Sequence, residues 1–288
     1  EIVAAIQTKQ QVVVFTDRSV SAMQYIGPPF TFGLAEVSTN TSILGQNAAV
    51  AVGDAVYWMG NDVFYRYDGN VSIIPCPVEE FVFDNVNTSQ LSKVTAGSNS
   101  EFNEVWWFYP SANSETNDRY VAFNYSDNTW FFGSLDRTAW DAGGVSGFPI
   151  AASPDGNIYF QENGISDGST NPPSPLNSFV ESSGIDVGDG DQFMSVKRII
   201  PDVGFRNSTG TPLVTFTLNA RTYPGSGTTQ TESGNTVRTS STPLEKYTNQ
   251  IDVRLRGRSV SLRVESNEVN TQWRLGTPRI DIRPDGRR

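Results

Sequence analysis

An all-β fold is what this sequence predicts: a partial or complete β-propeller-like domain followed by a β-sandwich or barrel-like domain. Three observations lead there. Aromatic residues make up 11% of the 288 residues and charged residues only 18%, with many Gly and Pro, which suits short strands joined by tight turns. A small-residue strand, a turn and an aromatic-tipped strand recur four times in the first half. No convincing helix of ten residues occurs anywhere.

The repeats come first along the chain. Val3–Ile6 leads to Val12–Phe15, Ala48–Val52 to Ala55–Trp58, Lys93–Ala96 to Glu104–Phe108, and Ile150–Ser153 to Ile158–Phe160. Their aromatic ends, Phe15, Trp58, Trp107 and Tyr159, lie 43, 49 and 52 residues apart. That interval matches one four-stranded propeller blade, roughly 40–50 residues. Outer blade strands follow as hairpins: 62–67 runs into Asp68-Gly69, and 119–125 runs through a polar turn to 130–132. Propeller-like repeats are therefore expected over 1–165. Residues 166–178, with three prolines and no apolar period, read as a linker. An antiparallel β domain follows over 179–288, with alternating strands at 193–200, 213–218, 251–255 and 260–264. The Gly-, Ser- and Thr-rich stretch at about 224–243 reads as a mobile arm, and a basic tail closes the chain. The chain opens at Glu1 without a Met and reads as strand from Ile2, so residues are expected to be missing upstream.

Chemistry is narrowed by what is lacking. There is no histidine and one cysteine, Cys76. Imidazole-based nucleophilic catalysis, internal disulfides and most transition-metal sites are excluded. Glu101 with Glu104, or Asp136 with Asp141, could be paired carboxylates for glycoside hydrolysis, but spacing along the chain does not show convergence and 31 acidic residues produce such pairs by chance. The chain is read as a non-enzyme, with no catalytic residue and no cofactor. Asp186, Asp189 and Asp191 in a glycine-rich loop are a weak calcium candidate, without the bidentate acid of an EF-hand. No apolar stretch is long enough to span a membrane.

Charge divides the chain. Residues 1–180 hold 6 Lys and Arg against 19 Asp and Glu, a net of −13, whereas 181–288 hold 15 against 12. The first part is a poor nucleic-acid binder. Arg254, Arg256, Arg258 and Arg263 alternate along two expected strands. Arg274, Arg279, Arg283, Arg287 and Arg288 follow on the last strand and tail. Forked Arg–carboxylate pairing makes these arginines the expected subunit or partner interface, with an acidic neighbour as the expected partner.

Several of these stretches carry a resemblance. Tyr25-Ile-Gly-Pro-Pro-Phe-Thr-Phe-Gly33, Ala55-Val-Tyr-Trp-Met-Gly60, Phe102-Asn-Glu-Val-Trp-Trp-Phe-Tyr109 and 273–288, with its Asp-Gly-Arg-Arg end, resemble a podophage structural family. Its members are called packaged-DNA stabilisation protein, tail tubular protein B or tail nozzle. The resemblance implies a component of a short phage tail in the virion. It implies a homo-oligomeric ring, a hexamer, that gates the channel, retains packaged DNA and lets it leave. The implied partners are other tail proteins (adaptor, fibre or spike, plug or needle) and genomic DNA passing without sequence-specific binding. The rival expectation is a carbohydrate-binding or carbohydrate-active propeller, with Trp106, Trp130 and Trp140 stacking on sugars.

Overall fold

β-Branched and aromatic runs, broken by glycine, asparagine or aspartate turns, fold as short strands nearly throughout. The computed structural model describes residues 1–145, 147–223 and 238–287, and the chain divides into two units, Glu1–Asn163 and Gly164–Arg288. The described helix is confined to α1 (Glu79–Phe83) and a 3₁₀ turn at Thr88–Lys93. The all-β class predicted from composition is what is found.

The first unit is a series of antiparallel meanders. β1 (Ile2–Gln7), β2 (Gln11–Thr16), β3 (Ser19–Gly27) and β4 (Thr31–Thr39) pair in that order. So do β5 (Ala49–Val52), β6 (Ala55–Met59), β7 (Phe64–Tyr67) and β8 (Val71–Ile74). So again do β9 (Thr95–Asn99), β10 (Glu104–Tyr109), β11 (Arg119–Asn124) and β12 (Thr129–Ser134). β13 (Ala139–Asp141), β14 (Ile150–Ala152) and β15 (Ile158–Phe160) form a three-stranded sheet. The leading strands lie side by side: β1 next to β5, β5 next to β9, β9 next to β13. The neighbouring of successive leading strands thus repeats along the unit, and the small residues on β5 and β9 let the backbones approach.

One expectation is corrected. In the first three sheets the recurring pair forms the first and second strands, but Ile150–Ser153 and Ile158–Phe160 supply the second and third of the fourth sheet. Its leading strand is β13, whose central residue is Trp140 instead of a small one. Room for that indole comes from the neighbouring strand, where Gly97 has no side chain.

Indoles tie the second, third and fourth sheets to segments before them. Trp58 donates its N–H to the Ser42 carbonyl (3.2 Å), Trp107 to Ala48 (3.1 Å), Trp130 to Pro75 (2.9 Å) and Trp140 to Ser98 (2.9 Å). Each ring is thus both packing mass and a directional bond, the usual way a buried Trp is satisfied.

The second unit is a sandwich. One sheet has the order β16 (Ser178–Glu181), β23 (Ser259–Ser266), β20 (Leu213–Arg221), β21 (Arg238–Glu245), with β17 (Ile185–Asp186) also on β23. The other places β18 (Met194–Ile200) between β22 (Ile251–Gly257) and β25 (Arg279–Pro284). A short pair, β19 (Val203–Gly204) with β24 (Arg274–Leu275), completes it. Strict alternation sets the core: Val214, Phe216, Leu218 and Ala220 point in from β20 and meet Met194, Val196, Ile199, Val253 and Leu255 of the opposite sheet.

Two boundaries move. Residues 166–178, read as a linker, belong to the second unit: the Asn270 N–H donates to Ser166 Oγ at 2.7 Å, and Asp167 pairs with Ser174. Within the expected arm, 238–243 lie in β21, paired along β20, while 224–237 lie outside the described residues.

Candidate functional site

Strand parity builds a cationic face on the second unit. β18 carries a bulge between Val196 and Arg198, so consecutive residues Lys197 and Arg198 are both exposed. On one side β22 presents Asp252, Arg254 and Arg256; on the other β25 presents Arg279, Asp281 and Arg283. Asp281 serves two cations, Arg198 at 3.6 Å and Arg283 at 3.7 Å. Lys197, Arg254 and Arg279 are exposed and have no ion pair or hydrogen bond among the described residues.

Other predicted interface arginines have internal work instead. Arg256 and Arg258 both cover the Phe193 ring, at 4.1 and 4.7 Å from its centroid. Arg256 also binds the Asp285 carboxylate and, at 3.1 Å, its carbonyl. Arg258 donates to the carbonyls of Asp191 and Arg287. Arg287 pairs with the Asp191 carboxylate at 3.2 Å. Backbone bonds between Phe193 and both Asp285 and Gly286 complete the clamp. The expected docking tail is therefore fastened to its own unit through Arg287, and Arg288 lies outside the described residues. Arg263 sits over Phe179 at 3.9 Å, bound to Glu265 at 2.8 Å and Glu181 at 3.2 Å. Arg274 is exposed on β24 and has no such partner among the described residues.

Sequence reasoning missed Lys197, Arg198 and Phe193. The bulge hides the first two, because it breaks the alternation that assigns a strand's faces. Phe193 is recognisable only once β18 lies beside β22.

The remaining candidates do not assemble into a chemical centre. Asp186, Asp189 and Asp191 are exposed, Asp191 is taken by Arg287, and no cluster of three His, Cys, Asp or Glu suited to a metal occurs among the described residues. Asp141 accepts from the Gly143 N–H at 2.8 Å, a local turn contact. Burial pushes the Glu104 carboxyl up to about 7, against the opposing pull of the Trp106 indole N–H at 3.0 Å and with a further push from Glu162. Burial also raises Glu162, with Glu101 adding to it, and Asn99 donates to Glu162 at 3.3 Å. The carboxylate that the structure sets near Glu104 thus comes from Glu162, two residues beyond β15 and 58 residues away. Of the sugar-stacking candidates, Trp106 is buried, stacked on Trp140 at 5.9 Å, and Trp130 packs on Phe64 at 4.7 Å.

No helix among the described residues is long and apolar enough to cross a membrane. No protein-family model matches the chain, and no curated protein does. Solved structures similar to it include a hemopexin fold protein, CP4, from cow pea, at 13% identity over 56% of this chain and 91% of that one (TM-score 0.29). A 2S albumin seed protein from Dolichos is 12% identical over 56% and 92% (TM-score 0.29). A plant lectin with two metal binding sites from Cicer arietinum is 12% identical over 53% and 83% (TM-score 0.28). TM-scores this low carry no argument about what the chain does.

Proposed function

We propose that this chain is a structural component of a short-tailed phage tail, a nozzle or tail-tube ring that holds packaged DNA and lets it out. The observation that carries the reading is the exposed face bearing Lys197, Arg254 and Arg279, without partners among the described residues, in a chain whose first 180 residues hold a net charge of −13. Such a face seeks carboxylates, and a neighbouring copy offers them in excess. Sheets stitched by indole hydrogen bonds suit a wall under load, because each blade is fixed to the one before it. Acidic surface toward a channel would repel phosphate, so DNA slides without sticking, whereas a basic wall would hold it in a salt-dependent way. The role is mechanical, in the virion tail, with further copies and other tail proteins as partners.

The test is charge reversal on the unpartnered cations. Lys197→Glu, Arg254→Glu and Arg279→Glu together should leave the melting temperature unchanged and block ring formation. Reversing Arg256 or Arg258 is a poor test, since both hold the chain end. Rings that form normally from the triple variant would overturn the assignment of this face. Electron microscopy of intact particles that places the chain outside the tail would overturn the whole reading.

A further inference from the structure

The first meander has an outer hairpin that runs past its own sheet. β3 pairs with β2 only as far as Gln24, opposite Gln11. Beyond it, Tyr25 to Phe32 form a two-stranded tip closed by Gly27-Pro28-Pro29-Phe30-Thr31. No charged residue occurs between Arg18 and Glu36. Tyr25, Ile26, Phe30, Phe32 and Leu34 are each more than half exposed, Phe30 at 78%. Tyr25 and Phe32 meet edge to face at 6.1 Å, and Ile26 packs over Gly33, so the tip is preorganised. An ordered apolar patch of this kind marks an interaction site.

The second unit carries a receptor of matching character. A mainly apolar groove of about 290 Å³ is lined by Val180, Ile185, Leu262 and Ile280 among others, with Glu181 and Ser182 as its polar lining residues. Small-molecule pockets run from roughly 300 to 1,000 Å³ and add convergent polar groups. This groove is at the lower limit, and its polar lining residues are already engaged, Glu181 by Arg263 and Ser182 by the Leu262 N–H, which suits apolar side chains. Along its rim runs β16, an edge strand with all four residues exposed. β4 is the outer strand of its sheet, so each partner brings an unpaired backbone edge.

We infer that the Tyr25–Leu34 hairpin of one copy seats in the Val180–Ile280 groove of the next, head to tail. The inference rests on the proposal that the chain works by self-assembly and names a contact that makes it. A bilayer is the poorer occupant for the tip. Its two backbone edges would go unsatisfied in hydrocarbon, and an acidic first unit is repelled by anionic headgroups. A hairpin-to-groove contact joins two different surfaces, the heterologous kind, which gives a ring where the rotation between copies closes and a filament where it does not.

Sedimentation velocity over a concentration series tests it. Phe30→Ser with Phe32→Ser, and separately Val180→Asp, alter exposed side chains and should keep the wild-type melting temperature. Each should weaken self-association at least about tenfold, the loss of one strong contact. Mixed in equal amounts, the two variants should form one-to-one pairs and nothing larger, since only one intact hairpin faces one intact groove. Wild-type assembly that survives in both variants would overturn the hairpin contact and leave the ring reading standing. A mixture that stays monomeric would overturn it too, as would a Val180→Asp variant that still pairs with itself, the sign of hairpin-to-hairpin contact. A wild type that stays monomeric alone would sink both readings, and its co-sedimentation with phosphatidylcholine vesicles would identify lipid as the occupant.

Discussion

Trp140 packs against Gly97 so closely that a β-carbon on Gly97 would stand 2.4 Å from the indole Cγ. The indole also packs on Trp106 at 5.9 Å and Phe108 at 5.5 Å, which limits how it can give way. Gly97→Ala should therefore destabilise the first unit by about 1–3 kcal/mol through overpacking. Adding Trp140→Leu should recover part of that loss, a coupling that a double-mutant cycle of urea melts will read. Additive effects would show that the contact does not constrain the seam.

Trp107 is fully buried and gives its N–H to the Ala48 carbonyl, which also accepts from the Met59 N–H at 3.1 Å. Trp107→Phe leaves that carbonyl one partner, so the cost should stay near 1–2 kcal/mol. Trp107→Ala also empties the space beside Phe64 and Trp130 and should cost about 3–5 kcal/mol. Equal losses for the two would mean that the hydrogen bond, not the ring volume, joins the sheets.

Much of this fold is legible in the sequence because strand signals are local. The Val12–Phe15, Ala55–Trp58 and Glu104–Phe108 strands each follow small-residue partners, and the meander order follows from tight turns. β13 escapes because three residues with a central Trp carry no period, and the slot it fills exists only beside Gly97. For the cationic face, the arginine spacing is visible but the partners are not. Arg254 and Arg256 share a strand face, yet one is unpartnered among the described residues and the other is locked on Phe193 and Asp285. That difference is tertiary: it depends on which strand crosses beside β22.

Cys76 is the only cysteine, half-buried, and burial pushes its thiol up to about 11. Thiolate is the reacting species, so alkylation by iodoacetamide at pH 8 should run some ten- to a hundredfold slower than in the urea-unfolded chain, roughly as the thiolate fraction falls. The rate should keep rising beyond pH 9. Mass spectrometry of quenched samples reads both, and fast labelling of the folded chain would show an exposed, ordinary thiol.

Glu104 ties the third sheet's stability to pH. Its carboxyl has an ordinary value of 4.5 and a folded value of about 7, raised by burial first and by Glu162 last. Below 4.5 it is protonated both folded and unfolded and contributes no slope. Between 4.5 and 7 the folded chain keeps a proton that the unfolded chain has lost, so stability falls as pH rises, and above 7 the full penalty stands. That penalty is on the order of 3 kcal/mol at most. Glu104→Gln keeps an acceptor for the Trp106 N–H and removes the charge. The variant should match wild type at pH 4 and be the more stable protein at pH 8. Glu162, raised in the same direction, should leave a shallower residual slope in the variant. Urea melts of both proteins across this range measure the difference directly, and a difference that does not change with pH would mean that Glu104 is solvated in the folded chain.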